Sequence, residues 1–257
     1  MSLRSRIRRA IEQQQFNPNL LGLLVNPFYF ARKGLRKNVA ELAPLISGKI
    51  LDVGCGTQPY RNLFATDDYI GLEIDSPGNR LNERAAVLYD GKSIPFEDST
   101  FDAVVLFEVF EHVFNPDELL AEIHRVLKLG GKIFLTVPFV WAEHEQPYDY
   151  ARYSSFGLQH VLRKHGFEIE RHSKSVDDFS VLFQLVNYYL FTKMSSATFR
   201  WNVLSTFLFM APINVVGAVV SRLLPSFPEL YLDNIVLAKK ADTASKLNDS
   251  TSPPPST

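Results

Sequence analysis

From residue 49 to 138 the chain alternates short aliphatic runs with polar or amphipathic stretches. KILDVG, DYIGLE, AAVLYD, FDAVVLF and GKIFLTVP are blocks in which apolar side chains follow one another without a break. A strand with one wet face alternates apolar and polar residues, so blocks this continuous predict strands buried on both faces, as in a parallel sheet. NPDELLAEIHRVLKLGG, between the last two runs, has helical spacing. Its start is read at an N-cap Asn115, with Pro116 in the first helical position and Glu118 three residues after the cap; its end is read at Gly130-Gly131. The β-α-β rhythm predicts right-handed crossovers and an α/β, doubly wound, Rossmann-like sheet with helices on both faces.

The flanks have a different texture. Residues 1–40 place Arg4, Arg6, Arg8, Arg9, Arg32, Lys33, Arg36 and Lys37 around the apolar stretch LLGLLVNPFYF, against Glu12 alone. This predicts a basic, apolar helical extension resting loosely on the core, with anionic lipid or a charged substrate as the alternative contact. After the core, residues 41–178, GFEIERHSKSV reads as a sixth strand and YLDNIVLAKK, within 230–240, as a seventh. Between them lies an apolar insertion, 179–229, in which Lys193 and Arg200 are the only charges from Phe179 to Ser221. The run from Trp201 to Ser221 is long enough to cross a bilayer, yet Pro212, its Asn, Ser and Thr residues and the need to return to the sheet argue against a single crossing. Helices over the pocket, a dimer interface and a surface dipping into lipid all fit. Residues 241–257, ending STSPPPST, read as a disordered tail.

Composition adds little to this. Hydrophobic residues make up 46% and charged residues 21%, with a formal net charge of −1, so no nucleic-acid partner is expected. Cys55 is the single cysteine and no leader-type cleavage pattern opens the sequence, which points to a reducing cytoplasm.

Candidate chemistry begins at Gly54-Cys55-Gly56, at the carboxyl end of the first strand, where doubly wound sheets bind ligands. A tight turn needs glycine even with nothing bound, so the turn alone says little. Glu73, closing the second strand, can accept hydrogen bonds from both ribose hydroxyls of a nucleoside, with Asp75 competing for that place. The dinucleotide fingerprint requires glycine where this chain has Pro59, which counts against a nicotinamide-dependent oxidoreductase. Cys55 reads as a small packing residue rather than a nucleophile.

The stretches ILDVGCGT (50–57), YIGLEIDSP (69–77), LYDGKSIPFEDSTFDAVVLFEVFEHV (88–113) and NPDELLAEIHRVLKLGGKIFLTVP (115–138) together resemble the class I S-adenosylmethionine-dependent methyltransferases. The resemblance implies a seven-stranded, mainly parallel sheet and S-adenosylmethionine as cofactor. It puts Asp52, Gly54 and Gly56 beside the methionine and adenosine parts, Glu73 on the ribose, Asp90 and Gly91 by the adenine, and Glu108 on the pocket floor. Gln58 replaces a glycine common in the family, and the stretch from Glu73 to Ala85 leaves little room for the usual second helix. A sulfonium cation without phosphate calls for carboxylates and backbone groups, and no Lys or Arg falls within 50–60. Asp102 is read apart from this set, as a cap or solvated residue.

On the acceptor side, the stretch from His144 through Pro147, Asp149, Tyr150, Arg152 and Tyr153 resembles a bacterial subgroup associated with glycan and cell-envelope biosynthesis. His144 is the first candidate for a general base, with Asp149 and Tyr153 behind it. The alternative gives Asp149 and Arg152 to loop stapling and His144 to the surface. His112 is read as shaping the pocket, and His124, His160, His165 and His172 as surface residues. No metal ligand set is assigned. The expected function is methyl transfer to a small, glycan or lipid-linked acceptor at oxygen, by a cytoplasmic enzyme, with contact at the inner face of a membrane as one reading of the insertion. The alternatives are the oxidoreductase and a non-catalytic S-adenosylmethionine-binding protein.

Overall fold

The computed structural model describes residues 11 and 13–241. Arg4, Arg6, Arg8, Arg9 and Glu12 lie outside the described residues, as does the tail beyond 241. Seven strands form one sheet: β1 (Ile50–Val53), β2 (Tyr69–Ile74), β3 (Val87–Tyr89), β4 (Phe101–Phe107), β5 (Leu127–Pro138), β6 (Phe167–Ser175) and β7 (Asp233–Lys240). Their order is β3-β2-β1-β4-β5-β7-β6, with β1 to β5 parallel and β7 antiparallel to both neighbours. The chain winds outward from β1 to β3 and then crosses to β4, so the order reverses between β1 and β4. A crevice opens at their carboxyl ends.

The unbroken apolar blocks have a direct cause. Ile50, Ala103, Val105 and Phe134 point to one core, shared with Leu35 and Val39 of α1 (Tyr29–Leu42). Leu51, Val53, Val104, Leu106, Ile133 and Leu135 point to the other, shared with Leu119, Leu120 and Ile123 of α2 (Pro116–Val126) and with Leu158 and Leu162 of α3 (Ser155–Lys164). Successive strand residues face opposite sides, and both sides are covered. The reading of full burial holds for β1 and the central parts of β4 and β5. It does not hold for β3, which is half-buried because it is the sheet edge.

Three further expectations are corrected. The extension is not loosely attached: Tyr29, Leu35 and Val39 of α1 are buried. The helix that was expected to run to Gly130-Gly131 stops at Val126, because Leu127 is already paired with Phe101; Gly130, in the left-handed region, bends β5 instead of closing a helix. Asn115 makes no side-chain bond to the helix backbone, and its amide donates to Glu118 Oε1 at 3.2 Å. The connection from β2 to β3 is as short as the sequence implies: a single turn at Asn79–Leu81 stands in place of a helix.

The insertion folds as two helices, α4 (Ser180–Met194) and α5 (Phe199–Leu223), pinned together at their sheet-proximal ends by Ser180 Oγ donating to Ser221 Oγ at 2.7 Å. α5 widens at Thr206–Met210, just before Pro212, whose ring needs room from the carbonyl four residues back. Buried amides tie the pair to the N-terminal segment. Gln184 Oε1 accepts from the amides of Phe30 and Ala31 at the start of α1, and its Nε2 donates to the Pro27 carbonyl. Asn187 Nδ2 donates to Asn214 Oδ1, and Asn214 Nδ2 to the Leu23 and Asn26 carbonyls.

Candidate active site

At the end of β1 the chain turns on Gly54 (φ +66°) and Gly56 (φ +47°), both in the left-handed region. A Cβ on Gly54 would come within 2.6 Å of Val109, so the turn lies directly against the segment after β4. A Cβ on Gly56 would meet nothing within 4 Å, so the turn opens onto free space. Asn82 Nδ2 donates to the Gly56 carbonyl at 2.8 Å and steadies the turn from the β2–β3 connection. Across from it, Glu73 ends β2 half-buried; burial raises its carboxyl above the usual range, while the Gly56 amide partly offsets this.

Asp52 lies beneath the turn, buried, accepting a 2.8 Å hydrogen bond from Tyr69 Oη. Burial pushes its carboxyl up to about 7 against that bond. Cys55 is buried beside it and its thiol is pushed up to about 12 by burial, as suits a packing residue. Asp90 is exposed, and its Oδ1 accepts from the amides of Lys92 and Ser93, closing the turn that contains Gly91. Asp75 is held by Arg80 in a two-bond fork at 2.6 and 2.9 Å, which takes it out of competition with Glu73. The nearest guanidinium in sequence, Arg61, donates to the Phe64 and Thr66 carbonyls and lies over the Tyr69 ring, turned away from the cleft. A cleft with open backbone and several carboxyls, with Arg61 and Arg80 engaged elsewhere, fits an adenosine joined to a sulfonium better than a pyrophosphate.

Glu108, at the end of β4, sits at φ +56°, a conformation that costs a non-glycine residue about 1–3 kcal/mol. β5 holds it there: Thr136 Oγ1 donates to Glu108 Oε1 at 2.7 Å, and the Glu108 amide donates to the Thr136 carbonyl. The carboxyl is thereby aimed into a cavity of about 280 Å³ lined by Phe28, Arg32, Trp141, His144, Tyr188 and Asp233, among others. Burial raises Glu108, and it raises Asp233 well above the ordinary range, with Glu108 nearby adding to the effect. The Trp141 and Tyr188 rings meet edge to face at 5.0 Å, and Phe28 is 6.3 Å from each, forming an aromatic wall.

His144 borders the same cavity. Its Nδ1 is 3.2 Å from Asp149 Oδ2, and its main-chain amide donates to that oxygen at 2.9 Å. Asp149 is gripped by Arg152 Nη1 and Nη2 at 2.5 and 2.6 Å, which depresses its carboxyl to about 2. Burial, helped by His112, lowers His144, so its imidazole is neutral at physiological pH. His112 meets His144 edge to face at 4.7 Å, and behind both lies Glu111, fully buried and raised well above the usual range by burial.

The structure therefore brings His144 and Asp149 together and leaves Tyr153 apart, its ring 5.2 Å from Phe110 in the core. Asp102 bonds the Lys49 amide and Lys128, away from the cleft. His172, expected on the surface, is half-buried between Gln159 and Asn234 because β6 carries it over β7. The cavity wall was missed from the sequence: Arg32, Trp141, Tyr188 and Asp233 come from four distant segments. Asp233 had a signal, being a lone acid in the buried run YLDNIVLA.

Against known proteins, the signature described as a methyltransferase domain matches residues 51–135. An uncharacterized protein of Methanocaldococcus jannaschii is 35% identical over 132 residues, covering 47% of this chain and 54% of its own. An uncharacterized chloroplastic methyltransferase of Arabidopsis thaliana is 27% identical over 58% of this chain and 46% of its own. The chain thus spans about half the length of the curated relatives it matches. Among solved structures, the phosphoethanolamine N-methyltransferase 2 of Haemonchus contortus in complex with S-adenosyl-L-methionine aligns with TM-score 0.52 at 19% identity, over 91% of this chain and 57% of that one. The matched signature runs along β1 to β5, the strands whose carboxyl ends build the cleft, so residues 51–135 are similar to a methyltransferase domain and the sheet has the fold of the methyltransferase structures it aligns with.

Proposed function

We propose that the protein methylates a hydroxyl of a small, glycan or lipid-linked acceptor. Asp52, Gly54, Gly56, Glu73, Asp90, Gly91 and Glu108 are assigned to the cofactor side. Bound S-adenosylmethionine would supply an electrophilic methyl group; the remaining work falls to the chain. An aliphatic hydroxyl is a weak nucleophile until its proton leaves, and His144 is the group placed to take it. Its imidazole is neutral, with Nδ1 turned toward Asp149 and Nε2 left to accept. Arg152 fixes Asp149, so the dyad is oriented before an acceptor arrives.

The observation that carries this reading is the His144–Asp149 pair on the wall of the cavity floored by Glu108 and Asp233. The aromatic wall supports an acceptor with an apolar or sugar portion. Tyr188 of α4 joins that wall to the apolar insertion, which supports delivery of the acceptor from a lipid surface, with the protein peripheral to the inner face of a membrane. α5 favours a surface contact over a crossing: its apolar window has mean hydropathy 2.1 and is 33% buried, and the insertion leaves the sheet at β6 and returns to it at β7.

The test is calorimetric titration with S-adenosylmethionine, its demethylated product and a nicotinamide dinucleotide in parallel. Binding of the first two alone is expected. Binding of the dinucleotide alone would overturn the assignment. Normal binding of the methyl donor with no turnover on any hydroxyl acceptor would favour a non-catalytic role.

A further inference from the structure

Behind His144, Glu111 is 0% exposed and neither of its carboxylate oxygens has a hydrogen-bond partner. A buried carboxyl without partners costs several kcal/mol, so it calls for a missing one. Two imidazoles face it: His112 Nε2 at 3.7 Å and His144 Nε2 at 3.9 Å, both from Oε1. One oxygen and two nitrogens lie within 4.8 Å of one another.

The opposite edges of the two rings decide which nitrogens carry protons. His112 Nδ1 is 2.8 Å from the Tyr148 carbonyl, and His144 Nδ1 lies 3.2 Å from Asp149 Oδ2 and 3.3 Å from the Ala142 carbonyl. Each of those neighbours accepts, so each ring places its proton on Nδ1 and turns an Nε2 lone pair toward the Glu111 carboxyl. Two Nε2 lone pairs then converge on a buried carboxyl that is within hydrogen-bond reach of neither. Imidazole rings held at Nδ1 by a carbonyl or carboxylate are in the state that ligates metals through Nε2.

We propose that Glu111, His112 and His144 form a binding site for a divalent first-row cation, with zinc the best match to two nitrogens and one carboxylate oxygen. Bonds of about 2.0–2.2 Å at tetrahedral angles separate ligand atoms by roughly 3.3–3.5 Å, so the two Glu111 distances need close by a few tenths of an ångström, while the two imidazole nitrogens, within 4.8 Å of one another, need close by about 1 Å through rotation of the rings. The next coordination position faces the cavity that His144 and Glu145 line, where the exposed Glu145 carboxylate stands 3.9 Å from His112 Nε2. Asp149 stays with Arg152 and serves as the outer partner of His144.

This goes beyond the methyl-transfer reading and does not depend on it. An ion at Nε2 takes the lone pair that proton acceptance by His144 needs, so the loaded and metal-free enzymes differ in how the acceptor loses its proton.

The full-length protein, stripped with chelator, should bind one equivalent of Zn2+ by calorimetry and give a Co2+ visible spectrum of low-symmetry N/O ligation. Glu111→Gln and His112→Ala should each weaken Zn2+ at least tenfold. Asp117→Asn, at the exposed Asp117–His165 pair, should change nothing. Titration of the same variants with S-adenosylmethionine separates loss of the ion from loss of the cofactor site. Should Glu111→Gln melt early, His112→Ala decides. Zinc affinity unchanged in His112→Ala, or no stoichiometric binding to the parent protein, overturns the site.

Discussion

Asp52 makes the end of β1 a pH-sensitive element. Its carboxyl is near 3.9 when unfolded and about 7 when folded, because burial outweighs the Tyr69 hydrogen bond. The folded state therefore binds the proton more tightly than the unfolded state. The resulting stability is fully present below about pH 4, declines as pH rises, and is lost above about 7. From about pH 5 to 8 the decline amounts to roughly 3 kcal/mol. Asp52→Asn keeps an acceptor for Tyr69 and should flatten it, as denaturation curves at the two pH values would show; parallel curves would mean that Asp52 titrates normally. Glu73 makes a different contribution. Its half-buried carboxylate faces the opening above Gly56, and Glu73→Ala should weaken S-adenosylmethionine by about 1–3 kcal/mol through lost hydrogen bonds; unchanged affinity would remove it from the site. His144→Ala should cut turnover about a hundredfold while cofactor affinity, read by calorimetry, stays where it was. Full activity would end its candidacy as the base.

Between elements, the insertion and α1 act as one unit, and Gln184 is the joint. It is fully buried, and its amide satisfies two main-chain donors at the start of α1 and one carbonyl before it. Gln184→Ala leaves those donors dry and should cost roughly 2–3 kcal/mol in urea unfolding. Because α1 carries Ala31, Arg32 and Leu35 into the cavity, the acceptor KM should rise while cofactor affinity holds. A variant of unchanged stability and KM would mean that α1 is held by its apolar face alone. Gln184 also shows where the sequence stops being legible. The strands could be read because each alternate residue meets an apolar neighbour, leaving unbroken runs. The glycine turn and Glu73 could be read because their ligand contacts lie at strand ends in chain order. α1 could not, since its buried Ala31, Leu35 and Val39 are interleaved with Arg32, Lys33, Arg36 and Lys37, which look like a solvated face. Gly130 misled for a related reason: a left-handed glycine ends a helix or bends a strand equally well, and only the pairing of Leu127 with Phe101 decides. The cavity wall depends on contacts between segments far apart in the chain, Arg32 and Asp233 among them, which local pattern does not encode.

For the whole molecule, the consequential feature is the outer face of α4 and α5. Phe207, Leu208, Phe209, Val215, Val216 and Val219 are exposed on α5, and Leu182, Val186 and Tyr189 on α4. Leaving that much apolar surface in water is unfavourable, and contiguous patches of this kind mark contact surfaces. The Ser180–Ser221 bond brings the two helices back to one place on the sheet, so the pair can lie along a bilayer surface without crossing it. Lys193 and Arg200 sit near its tip, where they would meet anionic headgroups. On the inner side Tyr188 reaches the cavity wall, so an acceptor anchored in the membrane would have a short path to His144. Replacing Leu208 and Phe209 with Glu puts two charges on the outer face and leaves the buried Asn187–Asn214 contact alone. The doubly substituted protein should lose sedimentation with vesicles containing anionic lipid, retain its S-adenosylmethionine affinity, and methylate a water-soluble acceptor at the parental rate. If the parent ignores vesicles but sediments as a dimer that the same substitutions split, the face is an interface between copies. If it does neither, the patch belongs to a protein partner and the membrane assignment falls.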